Sequence, residues 1–214
     1  MEDRSATETG GVSVRVTRDS ILGVAVISAI LAISPAFAAD ENPEQLLNEA
    51  RKTSSRLLEL VRGEVGRELE HTGPIRAITV CKFSAPELSS TLSRQTGMRV
   101  TRVSLRPRNR ALGEPDAWEQ KNLLDFEKRI AKGEKAESLE ISQIVAEPAG
   151  RYYRYMKAIP MGQPCLACHG PASAISEGVK TQLANEYPHD TAVDFQLGQV
   201  RGAISVKKSL NSKP

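Results

Sequence analysis

Leu46, Leu47, Ala50, Leu57, Leu58, Val61 and Val65 recur at three- and four-residue spacings. That period draws an apolar stripe along one side of a helix. Asn42 and Pro43 suit its start, and Gly73-Pro74 its end. Ile75 to Phe83 (IRAITVCKF) is apolar and β-branched and reads as a strand. Pro86 to Thr96 reads as a short helix capped by Gly97, and Met98 to Leu105 as a second strand. A polar loop follows, Arg106-Pro107-Arg108-Asn109-Arg110. Asp116 and Glu119 form a capping-box pattern that opens a helix to about Lys132, with Leu123, Phe126 and Ile130 inward. Ser138 to Ala146 alternates as a third strand, and Arg151 to Ile159 is an aromatic-rich fourth. Ile175 to Glu186 predicts a helix, Tyr187 to Gly198 a polar loop, and Gln199 to Lys207 a last strand. The expected class is α+β, with an antiparallel sheet of about five strands, flanking helices and a long N-terminal helix.

Before this pattern begins, Arg15 and Arg18 precede an apolar run from Ile21 to Ile33, and Ala36-Phe37-Ala38 follows it. This is the layout of a secretory signal cleaved after Ala38. Thirteen residues fall short of the roughly 20 that cross a bilayer, which weighs against the rival reading of an uncleaved anchor. The polar leader in front of the run suggests a start codon further in. Residues 1–38 are thus expected to be a signal peptide and residues 39–214 one exported, periplasmic domain with no membrane span.

Composition changes the picture little. The chain has 214 residues, a formal charge of +3 and 4% aromatic residues. A mildly basic balance, scattered except around Arg99 to Arg110, and few aromatic rings for stacking give no footprint for nucleic acid.

The chemistry is concentrated in Cys165-Leu166-Ala167-Cys168-His169. Cys-x-x-Cys-His is the pattern of c-type haem attachment. Two thiols at that spacing reach two vinyl groups of one porphyrin, and the adjacent imidazole is a usual proximal iron ligand. A bare Cys-x-x-Cys can also be a dithiol redox pair or half of a zinc site. The redox pair has no use for His169. Zinc would have to draw on Cys81, His71 and His189, which are scattered. Cys81 is then an odd thiol in an exported chain. By itself it reads as a buried core thiol. The candidates for a second axial ligand are Cys81, Met98, Met156, Met161, His71 and His189. Propionate partners are expected among Arg106, Arg108, Asn109, Arg154 and Lys157. Tyr153, Tyr155 and Trp118 read as packing or cavity wall.

Several stretches in order carry a family resemblance: Val80-Cys81-Lys82, Leu105-Arg106-Pro107-Arg108-Asn109, Pro115-Asp116-Ala117-Trp118-Glu119, Tyr153-Arg154-Tyr155-Met156-Lys157-Ala158-Ile159, the Cys165–His169 motif with Gly170, and Gly202-Ala203-Ile204-Ser205-Val206. Together they resemble the Tll-type single-haem c-type sensor domain. Arg110 stands where that pattern leads one to expect proline. The resemblance implies a PAS-like fold and one covalent haem c. It also implies iron held by His169 and by the thiolate of Cys81, and a role in redox or ligand sensing. A thiolate would lower the potential relative to His/Met ligation. A diatomic gas or a redox partner protein is then the expected partner. A homodimer contact through the long N-terminal helix is a further option. A low-potential electron-transfer cytochrome is the alternative function. No acid–base cluster is legible, so an enzyme is not expected.

Overall fold

The computed structural model describes Ser13 and residues 42–210. Apart from Ser13, the expected signal segment lies outside the described residues. The chain divides into two units after Phe37, and every helix and strand described belongs to the unit Ala38–Pro214.

Helix α1 spans Pro43–His71. Asn42 caps it, its side-chain oxygen accepting from the backbone N–H of Glu44 at 2.9 Å. A turn at Gly73 leads into α2, Pro74–Thr79, a π-helical segment, Val80–Ser84, and then α3, Ala85–Thr96. Gly97 ends α3 at φ +67°, a left-handed position suited to glycine. Strand β1, Arg99–Val103, follows, then a short helix α4, Arg110–Gly113, that starts at the end of the expected loop. Helix α5, Ala117–Ala131, opens with both bonds of the Asp116/Glu119 capping box. Strands β2, Glu140–Glu147, and β3, Gly150–Pro160, form a hairpin. The motif helix α6, Leu166–His169, helix α7, Glu177–Glu186, and strand β4, Val200–Ser209, complete the unit.

The sheet has four strands in the order β1-β4-β3-β2, antiparallel throughout. The fold is α+β as expected, but with one strand fewer. The stretch from Ile75 to Phe83 is helical instead. Ala77, Ile78, Cys81 and Ala85 recur at helical spacing, and Pro74 takes the first helical position. Its β-branched content described a buried surface rather than an extended backbone.

Period-two alternation divides the strands between two cores. Tyr153, Tyr155, Ile204 and Val206 pack with Leu46, Ala50 and Leu57 of α1 and Leu92 of α3. Met156, Ala158 and Ala203 pack with Leu123 and Phe126 of α5 on the other face. The first half of the α1 stripe, as far as Leu57, is therefore covered by its own sheet. Among the described residues no helix is long and apolar enough to cross a membrane.

Candidate functional site

Strand β3 runs directly into the motif. A short 3-10 turn, Gln163–Cys165, joins α6. One helical turn puts Cys165 and Cys168 on the same side, three residues apart. Gly170 closes the turn, its N–H donating to the carbonyl of Leu166 at 2.9 Å. A Cβ there would stand 2.6 Å from that oxygen, so the turn admits only glycine without a shift. The N–H groups of Asp194 and Phe195 donate to the carbonyls of Gly170 and His169, at 2.9 Å each. The expected polar loop thus straps the motif down, and it buries Ala192 and Phe195 in doing so.

His169 is held in one orientation. Its Nδ1 lies 2.7 Å from the carbonyl oxygen of Ala192, and the edge of Phe195 packs against it at 88°. A carbonyl only accepts, so Nδ1 carries the hydrogen and Nε2 keeps its lone pair. Burial, with the cations of Arg201 and Arg108 nearby, pushes the imidazolium form well below the usual range. The ring is therefore a neutral donor through Nε2, the form that ligates a metal.

Cys81 sits in the π-helical segment. Pro86 has no N–H for the carbonyl of Lys82, and its ring crowds that position. The chain widens there, and Ala85 donates to Val80 five residues back. Such bulges often occur at functional sites. Ile78 packs with Val179, Leu183, Tyr187 and Cys168, and Lys82 pairs with Glu186. These contacts tie the Cys81 segment to α7 and to the motif.

Between them lies a cavity of about 630 Å³, lined by Cys81, Cys165, Cys168 and His169. That is within the usual range for a small-molecule or cofactor site. Leu57, Val61 and Val65 of α1, Ile78 of α2, and Val100 and Ile204 of the sheet supply apolar wall. No group of three or more His, Cys, Asp or Glu gathers as a metal-ion site among the described residues. The four-ligand zinc arrangement is therefore not assembled.

The rival axial candidates separate. Met98 and Met156 are buried in the two cores, and His71 and His189 are exposed. Met161 lines the cavity but packs with Ala192, Phe195, Cys165 and Leu166, beside the motif. Tyr153 and Tyr155 are core.

Of the expected propionate partners, Arg108 and Asn109 reach the cavity. Arg108 works as a clasp: its Nε donates to Asp190 at 2.9 Å and its Nη2 to the carbonyls of Cys168 and Ala192. Arg106 is not on the cavity wall. It stacks 3.6 Å from the Phe195 ring centre and donates to the carbonyl of Val193. Arg154 is a correction. It shares the α5 face with Met156 and Ala158, across the sheet from the cavity. There it pairs with Asp116, Glu119 and Glu147 and stacks on Trp118. Lys157 donates to the backbone of Glu137.

Three cavity arginines escaped the sequence reading: Arg62, exposed on α1 and donating to the carbonyl of Pro160, and Arg102 and Arg201 of the sheet. The signal was available in β1, where Val100 and Arg102 alternate onto one face. An arginine on the core-facing side of a strand is uncommon.

Comparison with known proteins bears on this arrangement. The model of the family described as "Tll0287-like: Tll0287" matches residues 29–209. A solved structure described as "Crystal structure of the cyanobacterial heme-protein Tll0287" aligns with a TM-score of 0.62 at 22% identity, over 81% of this chain and 99% of that one. Nothing among curated proteins matches the sequence.

Proposed function

The chain belongs to the Tll0287-like family, and on that footing we propose that it binds one haem of c type in the cavity between α1, the π-helical segment and the motif. One observation carries the reading: a neutral imidazole with a free Nε2 and three cysteine side chains line a single cavity of about 630 Å³. The residues fit the group. Cys165 and Cys168 would each add S–H across one vinyl group, forming two thioethers with nothing lost. His169 would supply the proximal nitrogen.

Cys81 is the proposed second axial ligand. It comes from an element separate from the motif, whereas Met161 packs on the motif itself. As a thiolate it would favour ferric iron and lower the potential. The haem supplies a one-electron iron couple and, wherever a ligand is released, a position for a small molecule. Cys81 would be the residue that lets go on reduction, once its sulfur takes a proton. That response defines a redox or small-ligand sensor, acting after export through residues 1–38. The strand order, with helices on both faces, suits a PAS-like arrangement one strand short.

The test is the absorption spectrum of the exported protein, ferric and dithionite-reduced, beside that of Cys81→Ser. Covalent haem in both, with the low-spin thiolate-type spectrum lost in the variant, supports Cys81 as ligand. Matching spectra move the ligand to Met161 and favour an electron carrier. Carbon monoxide binding to the reduced protein supports release of Cys81. A reduced protein that stays closed to carbon monoxide overturns the sensor reading.

A further inference from the structure

Two cations on the sheet side of the cavity wall lack a carboxylate within bonding distance. Arg102 lies opposite Ile204 in the β1–β4 register, on the face shared with Val100. Its guanidinium makes no hydrogen bond or ion pair among the described residues. Arg201 donates from Nη1 to Ser104 Oγ at 3.0 Å and to the carbonyl of Arg106 at 3.3 Å, and faces the Phe195 ring. None of these partners is an anion. Of the wall's other arginines, Arg108 is matched by Asp190 at 2.9 Å, and Arg62 is exposed and donates to the carbonyl of Pro160. The groups crowd one another: burial pushes the Arg201 guanidinium down to about 9, with Arg108 and Arg102 adding to it and the more distant Asp190 opposing it. Burial likewise lowers Arg102.

A guanidinium carries five donors, and Arg102 and Arg201 are both half-buried. Here two stand beside an apolar cavity with most of their donors unused. Their planar forks suit carboxylates in a bidentate geometry. The missing element is therefore an acidic occupant.

We propose that Arg102 and Arg201 anchor the carboxylates of the cavity's occupant, which for haem are its two propionates. The inference rests on the haem reading. It takes this role from Arg106, which is off the cavity wall, and from Arg154, which lies across the sheet. Arg108 stays a clasp between the motif and the 190–192 loop.

The experiment uses the full exported protein and the variants Arg102→Gln, Arg201→Gln, Arg102→Lys and Arg110→Gln. Arg110 is exposed on α4 and serves as the control. Haem per chain is counted by the pyridine haemochrome assay. The propionate bending band is followed by resonance Raman, and the midpoint potential is followed against pH. In the wild type a paired propionate stays ionised, so it adds nothing to the pH dependence of the potential, which comes from the proton that Cys81 takes on reduction. Arg102→Gln and Arg201→Gln should shift the band. They should also add a second pH-dependent step to the potential, because a carboxylate stripped of its cation titrates higher. Arg102→Lys should restore the wild-type profile, and Arg110→Gln should match the wild type. Arg102 makes no structural bond, so Arg102→Gln keeps the test open if Arg201→Gln fails to accumulate. A full haem complement with unchanged band and a wild-type pH profile in Arg102→Gln overturns the anchor alone. A wild type that carries no haem overturns the haem reading and the anchor together.

Discussion

The imidazole Nδ1 of His169 stands 2.7 Å from the carbonyl oxygen of Ala192. Ala192 is placed in turn by Asp190, whose Oδ1 accepts its N–H at 2.8 Å, while Oδ2 accepts from Arg108 at 2.9 Å. Arg108 closes the circuit on the carbonyl of Cys168. Asp190 therefore orients the imidazole without touching it. Asp190→Ala strips a buried guanidinium of its counter-charge, and the expected loss is about 3–5 kcal/mol. The urea midpoint measures it. A midpoint within error of the wild type would show that Arg108 is satisfied by carbonyls alone.

Gly202 lies on the β4 side of the cavity, where a Cβ would meet the carbonyl oxygen of Val103 at 2.3 Å. Backbone cannot yield as a flexible side chain does. Gly202→Ala should destabilise by about 1–3 kcal/mol or more, as in other overpacked sites. Gly63, exposed within α1, meets nothing within 4 Å. Gly63→Ala should stabilise by about 0.5–1 kcal/mol, through the entropy glycine loses in a helix. Equal effects at the two positions in a thermal melt would overturn this account.

Arg154 is 3% exposed and meets three carboxylates on the face away from the cavity. Arg154→Met leaves that acidic cluster without its cation and should cost about 3–5 kcal/mol. The absorption spectrum of the protein that does fold should not change. A spectral shift at unchanged stability would return Arg154 to the cavity's chemistry.

Glu140 joins α1 to the sheet by pairing with Arg51 and accepting from the Tyr155 hydroxyl at 2.7 Å. The Arg51 hydrogen bond holds its carboxyl below the ordinary value of 4.5, against the opposing effect of burial. A carboxyl depressed in the folded state adds stability above its unfolded value. That contribution disappears as pH falls from about 4.5 through the folded value. Arg51 is 48% exposed, so screening limits the pair to about 0.2–1 kcal/mol. Arg51→Ala should therefore lower the urea midpoint slightly at neutral pH and converge with the wild type in acid. A difference that stays constant with pH would show that Glu140 does not carry it.

Helices with strong local signals were legible without a fold. The apolar stripe and Asn42 cap specify α1, and the Asp116/Glu119 box specifies the start of α5, because both act within a turn or two of chain. The thiol spacing of the motif and its adjacent imidazole were legible for the same reason, since a covalent pattern three residues apart is complete in the chain itself. Alternation in β3 separated Tyr153 and Tyr155 from Arg154, but not which side would hold a cavity. That depended on α1 covering one face and α5 the other. Long-range packing put Cys81 on a helical segment rather than a strand. There Pro86, Ile78 and the pairing of Lys82 with Glu186 outweigh local β propensity. Long-range packing also brought Arg102 and Arg201, nearly a hundred residues apart in the chain, to one wall. Pairing between β1 and β4 joins distant segments, and no local pattern in either one encodes its partner.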